Sequence, residues 1–250
     1  MFDVTVAAPV RRPHAILDLA SRSAKALKIE RLLDLANRSQ PMHLLEIGTG
    51  SGGIACHFAG HGVLRCQVVA VDVVDNRRVS DGYDFHLVQG VVLPFADASF
   101  DVVISNHVIE HVGDAGAQAH HLSEIRRVMK PGGVGYLAVP NRWMLTEPHY
   151  HLMFLSWWPH GWRTPYLRLM RKGEFYDCEP LEKRQLEHML DSAGFGYSNL
   201  CIEAMRETLA IERPQAMITR VLSRVPDGLL KPLRGLIPTL IYRLQLQAGR

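Results

Sequence analysis

Apolar residues along this chain keep two rhythms, and the alternation between them predicts the fold. Residues 42–47 and 67–72 are short, nearly continuous apolar runs that each carry a carboxylate near the end, Glu46 and Asp72, and they read as buried strands. Residues 84–88, 101–105 and 134–139 give three more. Between them, 51–60 and 115–129 carry helical spacing, and Pro131-Gly132-Gly133 punctuates the chain before the strand that follows. A helix over 181–193 stops at Gly194, and a sixth strand is expected at 197–204. Strands alternating with helices of this length predict a doubly wound α/β fold with right-handed crossovers and a largely parallel sheet. In such a sheet a ligand sits at the carboxyl ends of the strands.

Two stretches depart from that rhythm. Residues 15–37 place Ile16, Leu17, Leu19, Ala20, Ala24, Leu27, Ile29, Leu32, Leu33 and Leu35 closer to helical than to alternating spacing, which predicts an N-terminal helical cap. Between Pro140 and Leu181 the chain is dense in aromatics and histidines, among them Trp143, His149, Tyr150, His151, Phe154, Trp157 and Trp158. About forty residues inserted after the fifth strand predict a substrate lid.

The first strand runs into Gly48-Thr49-Gly50-Ser51-Gly52-Gly53. A glycine turn lets backbone approach a ligand, and it opens a helix whose unpaired N–H groups attract negative charge. Gly48, Gly50 and Gly53 satisfy the G-x-G-x-x-G spacing of dinucleotide sites, and Asp72, about twenty residues on, suits a ribose diol. A dinucleotide and S-adenosylmethionine (SAM) both fit these features. The carboxylate of Glu46 favours SAM, because it attracts a sulfonium and an ammonium where it would repel phosphates.

Two later motifs add to the glycine loop and Asp72. They are Leu93-Pro94-Phe95 ahead of Asp101-Val102-Val103-Ile104-Ser105-Asn106, and Lys130-Pro131-Gly132-Gly133. Over residues 42–141 the chain resembles the class I SAM-dependent methyltransferases, in the branch of the ubiquinone and menaquinone methyltransferases. The resemblance implies a Rossmann-like methyltransferase fold of seven mostly parallel strands that ends in an antiparallel strand, here at 236–244. An amphipathic membrane-surface helix is the competing reading of those residues. The resemblance also implies SAM as cofactor, held by Glu46, Gly48, Thr49, Gly50, Asp72, Val73, Gln89, Gly90 and Asn106. Relatives usually place an acidic residue after strand three to meet the adenine amino group. This chain has Leu87-Val88-Gln89-Gly90 there, so the amide oxygen of Gln89 is the acceptor on offer.

Methyl transfer from a sulfonium is an in-line displacement, so the protein chiefly aligns a nucleophile and excludes water. An oxygen or nitrogen nucleophile also benefits from a general base. The spacing of His107 and His111 predicts one helical face just beyond the fourth strand, and the resemblance implies His107 as the cleft residue and His111 as a structural histidine. His149, Tyr150 and His151 are further candidates on the lid. The stretch from His107 to His111 also reads H-x-x-E-H, a zinc-peptidase pattern, but it abuts a buried strand and no metal is expected. The lid, with Gly173-Glu174-Phe175-Tyr176-Asp177, is similar to bacterial methyltransferases that accompany cell-surface polysaccharide synthesis. That likeness implies a small-molecule, sugar or lipid-linked glycan acceptor, methylated at oxygen. A quinone or lipid acceptor is the runner-up, and a SAM-binding interaction module without turnover is a third reading.

Composition narrows the partners. With 250 residues and 47% hydrophobic content, the chain suits one elaborated domain, divided into a cap (1–40), a cofactor core (41–140), the lid (141–180) and the rest of the sheet (181–250). A formal charge of +3 makes no case for nucleic acid, and no N-P-P-Y motif occurs. From residue 204 onward, eight Lys or Arg face three Asp or Glu, an excess that suits either peripheral contact with an anionic membrane or a solvated helical face. The four cysteines form no C-x-x-C pair, the N-terminus has no signal-peptide core, and no eighteen-residue apolar run occurs, so a cytoplasmic protein is expected.

Overall fold

The computed structural model describes residues 18–147, 150–235 and 237–247. Helix α1 (Leu19–Leu33) starts where the carboxylate of Asp18 accepts the N–H groups of Ala20 and Ser21, and it ends at Asp34 in a left-handed conformation. It buries Ala26, Ile29, Leu32 and Leu33. Ile16 and Leu17 of the expected cap lie outside the described residues.

The core follows as β1 (Met42–Ile47), α2 (Gly53–Ala59), β2 (Cys66–Asp72), β3 (Asp84–Leu87), β4 (Phe100–Asn106), α3 (Ala115–Val128) and β5 (Met129–Pro140). An insertion then carries β6 (Thr146–Glu147), β7 (Leu152–Met153) and α4 (His160–Leu169). After it come α5 (Lys183–Ser192), β8 (Phe195–Asn199), α6 (Cys201–Glu212), α7 (Met217–Arg224), α8 (Asp227–Leu230) and β9 (Thr239–Leu246). The seven-stranded sheet has the order β3-β2-β1-β4-β5-β9-β8. β9 pairs antiparallel with both β5 and β8, and the other pairings are parallel.

Alternate residues of each strand serve opposite faces. Leu44, Val102, Ile104 and Tyr136 pack with Ile29 and Leu33 of α1 and Phe58 of α2. Leu45, Val103, Leu137 and Val139 pack on the other side with Leu122 and Ile125 of α3 and Leu186 and Leu190 of α5. The order reverses between β1 and β4, which opens a crevice at their carboxyl ends. The insertion has a small core of its own, formed by Leu152, Leu155, Leu167, Tyr176 and Cys178.

Three expectations are adjusted. The sixth strand stops at Asn199 rather than 204, because the apolar run Leu200-Cys201-Ile202 opens α6 and buries Cys201 and Ile202 against the sheet. The fifth strand begins at Met129, which pairs with Phe100, and its register shifts at the Lys130-Pro131-Gly132-Gly133 turn. The last strand runs to Leu246 and displaces the surface-helix alternative for these residues, though Leu236 lies outside the described residues. Among the described residues no helix is long and apolar enough to cross a membrane.

Candidate active site

The turn after β1 is strapped to β2. The amides of Gly48 and Thr49 both donate to the carbonyl of Val71, at 2.8 and 3.2 Å, and the Thr49 hydroxyl donates to the same oxygen at 3.1 Å. Gly48 has φ +78°, and a Cβ there would come within 2.4 Å of a Val108 methyl. At the end of β2 the Asp72 carboxylate accepts the Gly50 amide at 2.9 Å and the Val73 amide at 2.7 Å. It is thereby fixed against the glycine turn, and each oxygen keeps acceptor capacity for a diol. Val73 is half exposed just beyond it, and Gln89 and Gly90 are exposed after β3.

Glu46 is the buried acid of this turn. Burial, reinforced by the negative charge of Asp72, pushes its carboxyl up to about pH 8, against the Ala55 amide and the Arg22 charge. A sulfonium or ammonium beside it would reverse that balance. Among the described residues, Glu46 Oε2, the Ser51 hydroxyl and Asn106 Oδ1 are buried without a hydrogen-bond partner. Such orphaned polar atoms on the strand ends and the glycine turn fit a polar, cationic amino-acid ligand. Arg22 of α1, not singled out from the sequence, lies over the turn, and a Cβ on Gly53 would come within 2.6 Å of its Cβ.

Beyond β4 the chain does not form the expected helical face. His107 has φ +59°, with its amide donating to the carbonyl of Ala138 at 2.9 Å, and only a single tight turn, Ile109–His111, follows. His107 and His111 instead flank Glu110. His107 Nδ1 is 3.2 Å from Glu110 Oε1, and His111 Nε2 is 3.9 Å from the same oxygen. Burial raises the Glu110 pKa, but the hydrogen bond from His107 and the charges of both imidazoles outweigh it, and the carboxyl ends below its ordinary value. Glu110 is thus a buried anion, and as such it would accept the Nδ1–H of His107 and favour the tautomer in which Nε2 is the basic nitrogen. Nearby, burial pushes His121 down to about 4, and its ring, 3.0 Å from the Ser105 hydroxyl, is a neutral structural group.

The insertion docks on this turn. The Glu179 amide donates to the Glu110 carbonyl at 2.9 Å, and the Gln118 side-chain amide donates to the carbonyls of Ile109 and Glu179. Cys178 Sγ lies 3.8 Å from His111 Nδ1. The Cys178–His111 contact joins residues 67 positions apart, and no local pattern in the sequence announces it. The Tyr150 hydroxyl donates to the Phe175 carbonyl at 3.1 Å, and burial with the Asp177 charge raises its pKa, so it is a phenol within the insertion. His149 lies outside the described residues. Asn141 is buried and ties the start of the insertion to the carbonyls of Gly235 and Ile237.

Comparison with known proteins bears on this arrangement. Residues 45–137 match the family model described as a methyltransferase domain. A probable S-adenosylmethionine-dependent methyltransferase of Mycolicibacterium smegmatis is 52% identical over 113 residues, which cover 43% of this chain and 42% of that protein. A tuberculostearic acid methyltransferase of Mycobacterium tuberculosis is 30% identical over 135 residues, covering 51% of this chain and 31% of the relative. The chain therefore spans less than half the length of either relative. A solved SAM-dependent methyltransferase from Methanosarcina mazei superposes with a TM-score of 0.51 at 18% identity, covering 84% of this chain and 95% of that one, a likeness of fold.

Proposed function

Because residues 45–137 match a methyltransferase domain and the glycine turn, Glu46 and Asp72 suit SAM, we propose that this chain is a class I SAM-dependent methyltransferase that transfers a methyl group from SAM to an oxygen of a sugar or lipid-linked glycan. When bound, the cofactor supplies an activated methyl on a sulfonium; the residues described above account for the rest. Glu46 and Asn106 would hold the amino-acid part beside the Gly48–Gly50 turn, with Thr49 fixing that turn from its buried hydroxyl. Asp72 would hold the ribose and Val73, Gln89 and Gly90 the adenine. The observation that carries the reading is the buried Glu110 carboxylate, which orients His107 at the end of β4 as a general base. A base that takes a proton is what an alcohol acceptor requires. With Tyr150 bonded inside the insertion, it serves here to shape the lid, and His149 is retained as a candidate for acceptor contact.

The insertion favours an acceptor that offers flat or apolar faces. Trp143, Phe154 and Trp157 form an edge-to-face cluster that stays over a third exposed. Aromatic faces serve sugar rings, and they serve equally the quinone or lipid acceptor of the alternative reading. Helix α7 adds to the case for a lipid-borne substrate. It buries none of its residues, Met217 is 80% exposed, and Ile218 and Val221 are half exposed at helical spacing beside Arg220 and Arg224. An apolar stripe flanked by arginines suits the surface of an anionic membrane.

The test is release of S-adenosylhomocysteine (SAH) on presentation of lipid-linked glycans, free sugars and quinones to the purified chain. His107→Ala is expected to lower turnover about a hundredfold or more with little change in SAH affinity. SAH binding with no turnover on any acceptor class would favour the non-catalytic module instead.

A further inference from the structure

Between α1 and α6 lies a cavity of about 170 Å³, lined by Ser21, Arg22, Lys25, Lys28, Thr208 and Glu212 among others. One ordered water needs only about 10–15 Å³ by this measure, so the space admits a group of several heavy atoms. Three cationic side chains converge on it against one carboxylate, Glu212, which is exposed. We propose that this cavity binds an oxyanion carried by the methyl acceptor, a phosphate or a carboxylate. Assigning the anion to the acceptor rests on the methyl-transfer reading above.

The unspent charge is the first reason. Lys28 donates to the Thr208 hydroxyl at 3.1 Å, whereas among the described residues no hydrogen bond or ion pair forms at the Lys25 ammonium, and the Arg22 Nε is buried without a partner. The ammonium groups of other lysines are paired, as in Lys130 with Asp101 and Lys183 with Glu187. Burial, followed by the like charges of Arg22 and Lys28, lowers Lys25 to about 7, and burial lowers Arg22 and Lys28 as well. Cations that repel one another in a desolvated space are costly unless an anion joins them.

Placement is the second reason. Arg22 borders both the cavity and the glycine turn, and its charge is felt by Glu46. Lys25 interacts through space with Glu110, the carboxylate that holds His107. The cavity therefore adjoins the cofactor turn through Arg22, where an anchoring group on the acceptor would hold it beside the proposed cofactor.

The test titrates the full chain with sulfate, inorganic phosphate and acetate at low ionic strength, with and without saturating SAH, by calorimetry. Saturable binding that persists with SAH present is expected; preference for sulfate and phosphate identifies a phosphate-bearing acceptor, and preference for acetate a carboxylate. Lys25→Met should weaken binding about ten- to a hundredfold, and Glu212→Gln should tighten it. Absence of saturable binding to the wild-type chain overturns the proposal, as does unchanged affinity in Lys25→Met. Competition by SAH also overturns it, since the cavity would then serve the cofactor's own carboxylate. Should Lys25→Met fail to fold, Glu212→Gln decides, and unchanged affinity there counts against the proposal. SAH binding in the same samples reports on the methyl-transfer reading separately, and sulfate binding by a chain that takes no SAH overturns the assignment to a methyl acceptor.

Discussion

Glu46 keeps its proton up to about pH 8 in the folded chain, against an ordinary carboxyl value of 4.5. Between those two values the folded state holds a proton that the unfolded chain has released, so this group makes stability fall as pH rises across that window. The slope approaches about 1.4 kcal/mol per pH unit for one such group. Glu46→Gln should flatten the dependence of melting temperature on pH between 5 and 8 and raise stability at pH 8. The same variant should weaken SAH binding about tenfold or more, as expected for loss of a charged hydrogen-bond partner. An unaltered pH slope, read by thermal unfolding across that range, would remove Glu46 from this role. The residue thus lowers stability on its own and is expected to recover that loss through a cationic ligand. Its position at the strand end was legible in the sequence because an acid interrupts an apolar run. The roles of Arg22 and Lys25 were not legible, because in a helical pattern a cation reads as solvent-facing until the packing of α6 is known.

At the scale of elements, the glycine turn and the segment after β4 are one mechanical unit. Gly48 accepts its left-handed backbone only without a side chain, and the place of a Cβ is taken by Val108, next to His107. Gly48→Ala should cost about 1–3 kcal/mol of stability and weaken SAH binding, and Gly48→Ala with Val108→Ala should recover the steric share of the loss but not the backbone strain. Urea unfolding of the two single variants and the pair measures that coupling; strict additivity would contradict it. β1, β2 and β4 were readable because strands buried on both faces leave nearly unbroken apolar runs. The helical face proposed for His107 and His111 was not, since the left-handed turn at His107 is set by its long-range bond to Ala138 and by Glu110 rather than by local spacing. The overlong sixth strand has a related cause: a short apolar run such as Leu200-Cys201-Ile202 looks the same in a strand and at the buried start of a helix.

For the whole molecule, the proposed site at the carboxyl ends of the strands and the exposed apolar stripe of α7 are the features behind the proposal of an enzyme working beside a lipid surface. Wild-type chain should co-sediment with vesicles containing anionic phospholipid and much less with zwitterionic ones, and Met217→Ser with Val221→Ser should abolish the difference while leaving SAH binding intact. Equal sedimentation with both vesicle types, or none with either, would count against membrane contact. A last consequence follows from β9, which lies between β5 and β8 although it comes after both in the chain. A nascent polypeptide still short of Thr239 offers the ribosome exit a half-built sheet, with β5 presenting a bare hydrogen-bonding rim and β8 having no neighbour to pair with. Completion of the sheet therefore waits for almost the final residues described, and until then shielding that rim falls to chaperones or to the chain's own helices.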